Sequence, residues 1–118
     1  MAKMATSTVQ QVGPVEREHM SADGARATIY CQERGGHWAA EFRFVLVSLG
    51  RASTMPLTSR SPQRLTRAAA VADAARRMGA ALRAAVAGLD LTPAQRKAVE
   101  AVQAWAAGLD AKAPRFLD

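Results

Sequence analysis

Reactive and stacking side chains are scarce in this chain, which has one cysteine, two histidines and six aromatic residues among 118. A single cysteine excludes an internal disulfide and fits a reducing compartment. Metal sites need three or four protein ligands, and the cysteine and histidines here show no paired spacing. We therefore expect neither a metal site nor a cofactor.

Long apolar runs are also missing. No segment approaches the roughly 20 apolar residues of a membrane span, and the N-terminal stretch lacks the apolar core of a signal peptide. We therefore expect a cytoplasmic protein with no membrane partner. The length predicts a single domain over residues 1–118, with an N-terminal tail over residues 1–14 and a short C-terminal tail over residues 110–118.

The segment ARATIYCQERGGHWAAEFRFVLVS predicts a β-hairpin over about residues 25–48. Its Gly35-Gly36 pair can form a two-residue loop, because both positions can adopt positive φ. Folding about this loop gives both strands one apolar and one polar face, and a slip of one residue would invert every pair. The predicted apolar face carries Ala27, Ile29, Cys31, Ala40, Phe42 and Phe44.

Two neighbouring segments can extend this sheet. VEREHM, which precedes the Asp23-Gly24 turn, is predicted to pair with the first strand of the hairpin, and ASTMPLT follows Gly50. Pro56 confines the second segment to an edge position, since proline cannot donate to a strand ladder. The sequence thus predicts an antiparallel sheet of three to four strands.

The second half of the chain predicts two helices. Ser61-Pro62 matches an N-cap followed by proline at the first helical position, so the first helix is predicted over about residues 62–87. Apolar residues recur along it at spacings of three and four, and form a stripe that would face the sheet. This stripe contains Val71, Ala75, Met78, Leu82, Val86 and Leu89.

A second helix is predicted over about residues 93–107. Thr92 and Gln95 form a capping-box pattern at its start, and both helices end in AGLD, in which Gly88 and Gly108 are the predicted left-handed caps. The short connection makes the two helices an αα-hairpin. Strands followed by helices indicate an α+β fold, with the helical hairpin packed on one face of the sheet.

The surroundings of Cys31 do not favour an enzyme. A thiol nucleophile needs a base within hydrogen-bond reach, but the hairpin register places Cys31 on the apolar face and His37 on the other. A small buried core thiol is therefore the expected role of Cys31. The close carboxylate pair Glu16 and Glu18 is expected to line a solvated strand edge. We predict that the protein is not an enzyme.

Positive charge is concentrated in one part of the sequence. The formal net charge is +6, and residues 50–83 contain seven arginines and one aspartate, whereas the segments on either side are neutral. Arg60, Arg64 and Arg67 cluster at the predicted start of the first helix, where the helix dipole disfavours cations. A bound anion would remove this conflict, because helix N-termini and arginine forks both suit phosphate.

This pattern predicts a small basic accessory or regulatory protein that binds the backbone of DNA or RNA. A secondary patch on the polar face of the hairpin comprises Arg26, Tyr30 and Arg43. Its one aromatic ring, between two arginines, can stack on a base or lie at a protein interface, or it can form a cross-strand cation–π contact instead. The main predicted nucleic-acid-binding residues are Arg51, Ser59, Arg60, Ser61, Arg64, Arg67, Arg76, Arg77 and Arg83.

Three alternatives stay open at the level of sequence. The arginines can pair with Glu16, Glu18 or Glu41 across the fold. The protein can instead be an adaptor or inhibitor, of bacterial, phage or mobile-element type, that binds an acidic or nucleic-acid-handling protein. A homodimer can also form through an alanine face opposite the apolar stripe, which consists of Ala70, Ala74, Ala81 and Ala84.

Overall fold

The strands lie in the first half of the chain, and two helices follow them. The computed structural model describes residues 12–55 and 63–113. The predicted α+β fold with a helical hairpin is confirmed. Within the described ranges the elements are β1 (Glu16–Ala22), β2 (Ala25–Arg34), β3 (His37–Leu46), β4 (Arg51–Met55), β5 (Gln63–Arg64), α1 (Arg67–Val86) and α2 (Pro93–Ala111).

The central hairpin has the predicted register. Every partner pair of β2 and β3 matches folding about Gly35 and Gly36, whose φ angles are +59° and +86°. Glycine adopts such angles without strain, which favours the two-residue loop. Alternate side chains of both strands are buried, so the apolar face predicted from the sequence is the inner face of the sheet.

The predicted flanking strands are also present. β1 pairs antiparallel with β2 across the Asp23-Gly24 turn, and β4 pairs antiparallel with β3. β5 pairs with the beginning of β3, where Gln63 lies opposite Ala39. The sheet order is therefore β1-β2-β3, with β4 and β5 both lying along the far edge of β3.

The predicted tails are described only in part. The Gly13 N–H donates to the Glu33 carbonyl at 2.9 Å, and Gln32 Nε2 donates to the Gly13 carbonyl at 2.9 Å. These bonds place the end of the predicted N-terminal tail against β2. Residues 1–11 and 114–118 lie outside the described residues.

α1 begins at Arg67, five residues later than the sequence predicts, so that boundary is wrong. Its N-cap is Thr66, whose Oγ1 accepts from the Ala69 N–H at 3.1 Å. Gln63 and Arg64 do not join the helix, because they pair with β3 as β5. A long-range strand pairing therefore overrides the local Ser-Pro signal, whose two residues lie outside the described ranges.

α2 begins as predicted but ends later. Thr92 Oγ1 accepts from the Gln95 N–H and the Gln95 side-chain oxygen accepts from the Thr92 N–H, so the capping box is confirmed. The helix continues through Gly108 to Ala111, so the prediction of Gly108 as a left-handed cap is wrong. Gly88, by contrast, has a φ of +75° just after α1, as the predicted cap requires.

The core lies between the inner face of the sheet and both helices. Inward side chains of β2 and β3 meet the apolar stripes of α1 and α2, as expected for a helical hairpin packed on an antiparallel sheet. The rings of Phe42 and Phe44 stack there with their centroids 6.2 Å apart. Other fully buried side chains in this core are Ile29, Cys31, Leu46, Met78, Leu82 and Val102.

α1 is buried more completely than a single apolar stripe predicts. All residues from 69 to 75 are buried, because small alanine side chains let neighbouring elements approach the helix on several sides. Ala70 and Ala74 belong to the core of this chain and Ala81 packs against it. Ala70 and Ala74 are therefore not available to a homodimer interface, whereas Ala84, the fourth residue of this face, is exposed.

Replacement of Phe44 by alanine tests this packing. The ring is fully buried, so Phe44→Ala should lower the free energy of unfolding by about 3–5 kcal/mol. Val47→Ala, at a side chain that is 56% exposed in the turn after β3, should change it by less than about 0.5 kcal/mol. Urea denaturation measures both values, and equal effects of the two substitutions would contradict the packing.

Candidate functional site

The Arg67 guanidinium is held by two carboxylates of the sheet. Arg67 Nε lies 2.7 Å from Glu16 Oε1, and Arg67 Nη2 lies 3.0 Å from Glu18 Oε2. Glu16 and Glu18 are two residues apart in β1, so both side chains lie on the inner face, near the start of α1. For Arg67, the alternative of pairing with sheet carboxylates is confirmed.

This ion pair relieves the electrostatic conflict at the start of α1. Burial by itself lowers the pKa of the Arg67 guanidinium, but the hydrogen bonds to Glu16 and Glu18 outweigh it and raise the pKa. The two carboxylates also lie near the positive end of the helix dipole, where negative charge is stabilising. An external phosphate would have to compete with them for the same guanidinium.

A second cluster surrounds Asp73, a residue of α1 that is only 8% exposed. Arg64 Nη2 lies 3.1 Å from Asp73 Oδ1, Arg77 Nε lies 2.9 Å from Asp73 Oδ2, and Arg76 Nη1 lies 3.8 Å from Oδ1. A buried carboxylate is costly unless it is paired and hydrogen-bonded. The arginines therefore stabilise a charge that the folding of α1 buries.

Arg76 also contacts a second carboxylate, since its Nη2 lies 3.1 Å from Asp110 Oδ1 of α2. Beside this contact is a groove of about 400 Å³ between the helices, which Arg83 and Gln103 also line. Arg51 is exposed at the beginning of β4. The predicted residues Ser59, Arg60 and Ser61 lie outside the described residues.

In the described part of the chain, the run of positive charge is therefore largely engaged within the fold. Arg64, Arg67, Arg76 and Arg77 all contact carboxylates of this chain. Glu16, Glu18 and Asp110 are far from these arginines in the sequence, whereas Asp73 is three and four residues from Arg76 and Arg77. A count of charge along the chain does not register the long-range pairs.

Positive charge is in excess on the other side of the sheet. Side chains alternate along β1, so Arg17 and His19 point away from the helices while the two glutamates point towards them. We call the outward side chains of β1, β2 and β3 the outer face. Its charged members are Arg17, Arg26, Arg34, Arg43 and Glu41.

Cross-strand contacts order this outer face. The Arg17 guanidinium carbon lies 5.5 Å from the centroid of the Tyr30 ring, and His19 Nδ1 lies 2.8 Å from Thr28 Oγ1. Arg17 is directly opposite Tyr30 in the ladder, and His19 is directly opposite Thr28. A cross-strand cation–π contact is thus present at the secondary patch, although Arg17 makes it and not Arg26 or Arg43.

A concavity of about 260 Å³ opens on the outer face. It brings together all three residues of the secondary patch predicted from the sequence, which come from two different strands. The residues that line it are His19, Arg26, Ala27, Thr28, Tyr30, Arg43, Phe44 and Val45.

Three residues of the outer face were missed by the sequence prediction. Arg17, His19 and Arg34 are exposed or half-buried there, but none was included in either predicted patch. For Arg17 and His19 the alternation of EREHM carried the signal, because acidic residues at every second position leave the intervening basic side chains on the opposite face.

Cys31 is fully buried on the inner face, and its thiol is free. Removal from water raises the pKa of this thiol; the Arg67 charge opposes the shift, whereas Glu16 and Glu18 reinforce it. The register places His19 on the outer face, away from the thiol. This environment suits the predicted core role of Cys31.

Two further features are missing from residues 12–55 and 63–113. Within these ranges, no group of three or more His, Cys, Asp or Glu side chains is arranged to hold a metal ion. Neither of the two helices combines the length and the apolar character that crossing a bilayer requires.

Asp73→Asn tests the structural role of the arginines around this carboxylate. It should lower the free energy of unfolding by about 1–2 kcal/mol, less than the ~3–5 kcal/mol for breaking a fully buried pair. The loss is reduced because Arg64 and Arg77 stay partly solvated. Asp90→Asn, at an exposed position between the helices, is the matched control, with an expected change below about 0.5 kcal/mol. Urea denaturation showing no loss in Asp73→Asn would contradict this role.

Burial of Cys31 makes stability depend on pH. The thiol of the unfolded chain ionises near its ordinary pKa of 9.0, whereas the buried thiol stays neutral to higher pH. The contribution of the buried thiol to the free energy of unfolding is therefore complete below about pH 9, and it is lost as the pH rises through the pKa of the folded state. Cys31→Ala should flatten this part of the profile, measured by urea denaturation at a series of pH values. If the free energy of unfolding falls with pH equally steeply in Cys31→Ala and in the wild type, the thiol makes no such contribution.

Comparison with protein-family models, with curated proteins and with solved structures finds no match to the chain. Its function is therefore inferred from the fold and from the arrangement of its side chains.

Proposed function

We propose that the protein binds nucleic acid through the phosphate backbone, with the outer face as its main contact surface. The observation that carries this proposal is the sorting of charge across the sheet. Two carboxylates of β1 lie on the inner face and are engaged by Arg67. The outer face retains four arginines against the single carboxylate Glu41.

The chemistry of the outer face suits phosphate. Arginine presents paired N–H donors whose geometry matches phosphate oxygens. The arginines of this face lie on β1, β2 and β3, and neighbouring strands are about 4.8 Å apart. An extended chain of phosphates can therefore meet several of them in succession. Contacts of this kind position a nucleic acid without reading its sequence.

The arginines predicted from the sequence have a smaller part in this proposal. Arg51 and Arg83 are exposed and form no ion pair with another described residue. Arg51 lies opposite Leu46 of the inner face and Arg83 lies on α1, so neither belongs to the outer face. The arginines around Asp73, and Arg67 at the start of α1, mainly stabilise the fold. Weakly sequence-specific binding is therefore expected to centre on the sheet.

Charge reversal on the outer face tests the proposal. Changing Arg17, Arg26 and Arg43 together to glutamate should weaken binding to a labelled oligonucleotide by at least about 100-fold at low salt, because three phosphate contacts become repulsive. Fluorescence anisotropy measures the affinity. For the wild type, log K should fall linearly with log salt, with a slope of about −0.7 per phosphate contact on a single strand.

The matched control reverses Arg96, Lys97 and Lys112 on α2 and at its end. Both triple variants lower the formal net charge from +6 to zero, so a difference between them reports position and not total charge. The control should keep its affinity within about tenfold of the wild type. Equal losses would contradict the outer face as the contact surface, and no wild-type binding at about 50 mM salt would reject the proposal and favour a protein partner.

A further inference from the structure

The concavity on the outer face has the size of a site for one planar ring system. Its volume of about 260 Å³ falls just below the roughly 300 Å³ at which pockets for drug-sized ligands begin. Tyr30 lines it, and so do His19 and Thr28, whose side chains are hydrogen-bonded to each other. The pairing of β1 with β2 fixes the positions of these three residues, because His19 lies opposite Thr28 and Tyr30 belongs to the next pair on the same face.

Charge narrows the class of ligand that this concavity can take. Arg26 and Arg43 both line it, and no carboxylate is among its lining residues. A site that combines an aromatic ring with two guanidinium groups suits a flat aromatic ligand that has negative groups beside it. A base with its flanking phosphates has this combination of features.

Arg17 supports the Tyr30 ring without closing the concavity. Its guanidinium lies over the ring at 5.5 Å from the centroid, but Arg17 does not line the concavity. The cation–π contact restricts the motion of the ring and so lowers the entropy that stacking would cost. The part of Tyr30 that borders the concavity remains available to a ligand.

We infer that the concavity holds one unpaired base of a single-stranded nucleic acid, stacked on Tyr30, with the flanking phosphates on Arg26 and Arg43. The inference rests on the proposed function and deepens it by naming the single strand as the preferred form. In a duplex the faces of the bases are covered by their neighbours, so a side chain on a sheet cannot stack on them. The bases of a single strand can be splayed out and stacked on an aromatic ring.

The test compares three ligands of one length: an intact single strand, the same strand with abasic sites, and the duplex. Anisotropy at fixed low salt measures the affinity of each, with DNA and RNA versions run side by side. The wild type should bind the intact strand about 5- to 100-fold more tightly than the abasic strand, since stacking is the interaction removed. The intact strand should also bind more tightly than the duplex.

Two substitutions assign this difference to the ring. Tyr30→Leu keeps an apolar side chain of similar bulk but removes the aromatic face, so the intact and abasic strands should bind within about twofold of each other. Tyr30→Phe keeps the aromatic face and should retain the wild-type preference. Circular dichroism checks that both variants fold, and the wild-type comparison of strands does not depend on either variant.

The outcomes separate this inference from the proposed function. Equal wild-type binding of intact and abasic strands, or tighter binding of the duplex, would overturn base stacking while leaving phosphate binding in place. An undiminished preference in folded Tyr30→Leu would overturn the assignment to Tyr30. No binding of any of the three ligands would overturn both proposals.

Discussion

The contact of Arg67 with Glu16 and Glu18 joins the helices to the sheet. It ties the first residue of α1 to the face of β1 that carries both glutamates. The pairing of β1 with β2 turns this face towards the helices, and because side chains alternate along a strand, Arg17 and His19 lie on the opposite face. Both carboxylates of β1 are thus engaged on the inner face, and the outer face has excess positive charge.

The alanine-rich α1 explains why so many arginines are engaged within the chain. Its first turns are buried on several sides, and Asp73 is buried with them. Arg64 reaches this carboxylate from β5, and Arg77 reaches it from the next turn of the helix. Under the proposed function, arginine therefore has two roles in this protein. Arginines with a carboxylate of the chain within reach stabilise the fold, and those of the sheet surface are available to a ligand.

Features that leave a local motif in the sequence, or an alternation of apolar and polar residues, could be predicted. Alternation about Gly35-Gly36 indicated the register of β2 and β3, and the Thr92–Gln95 pattern indicated the start of α2. The start of α1 could not be predicted, because the pairing of Gln63 with β3 is a long-range contact that local signals do not report. For a similar reason the sequence left open whether Arg67 meets Glu16 and Glu18, since charge along the chain does not show which arginines meet a carboxylate of another element.

The arginines of the outer face, and not those at the start of α1, should meet the phosphates of a nucleic acid. NMR of arginine Nε–H groups during titration with a short single-stranded oligonucleotide tests this most directly, because each guanidinium reports its own contacts. We expect the resonances of Arg26 and Arg43 to shift on binding while that of Arg67, held by sheet carboxylates, stays unchanged. Shifts confined to Arg64 and Arg67 would contradict this division of roles.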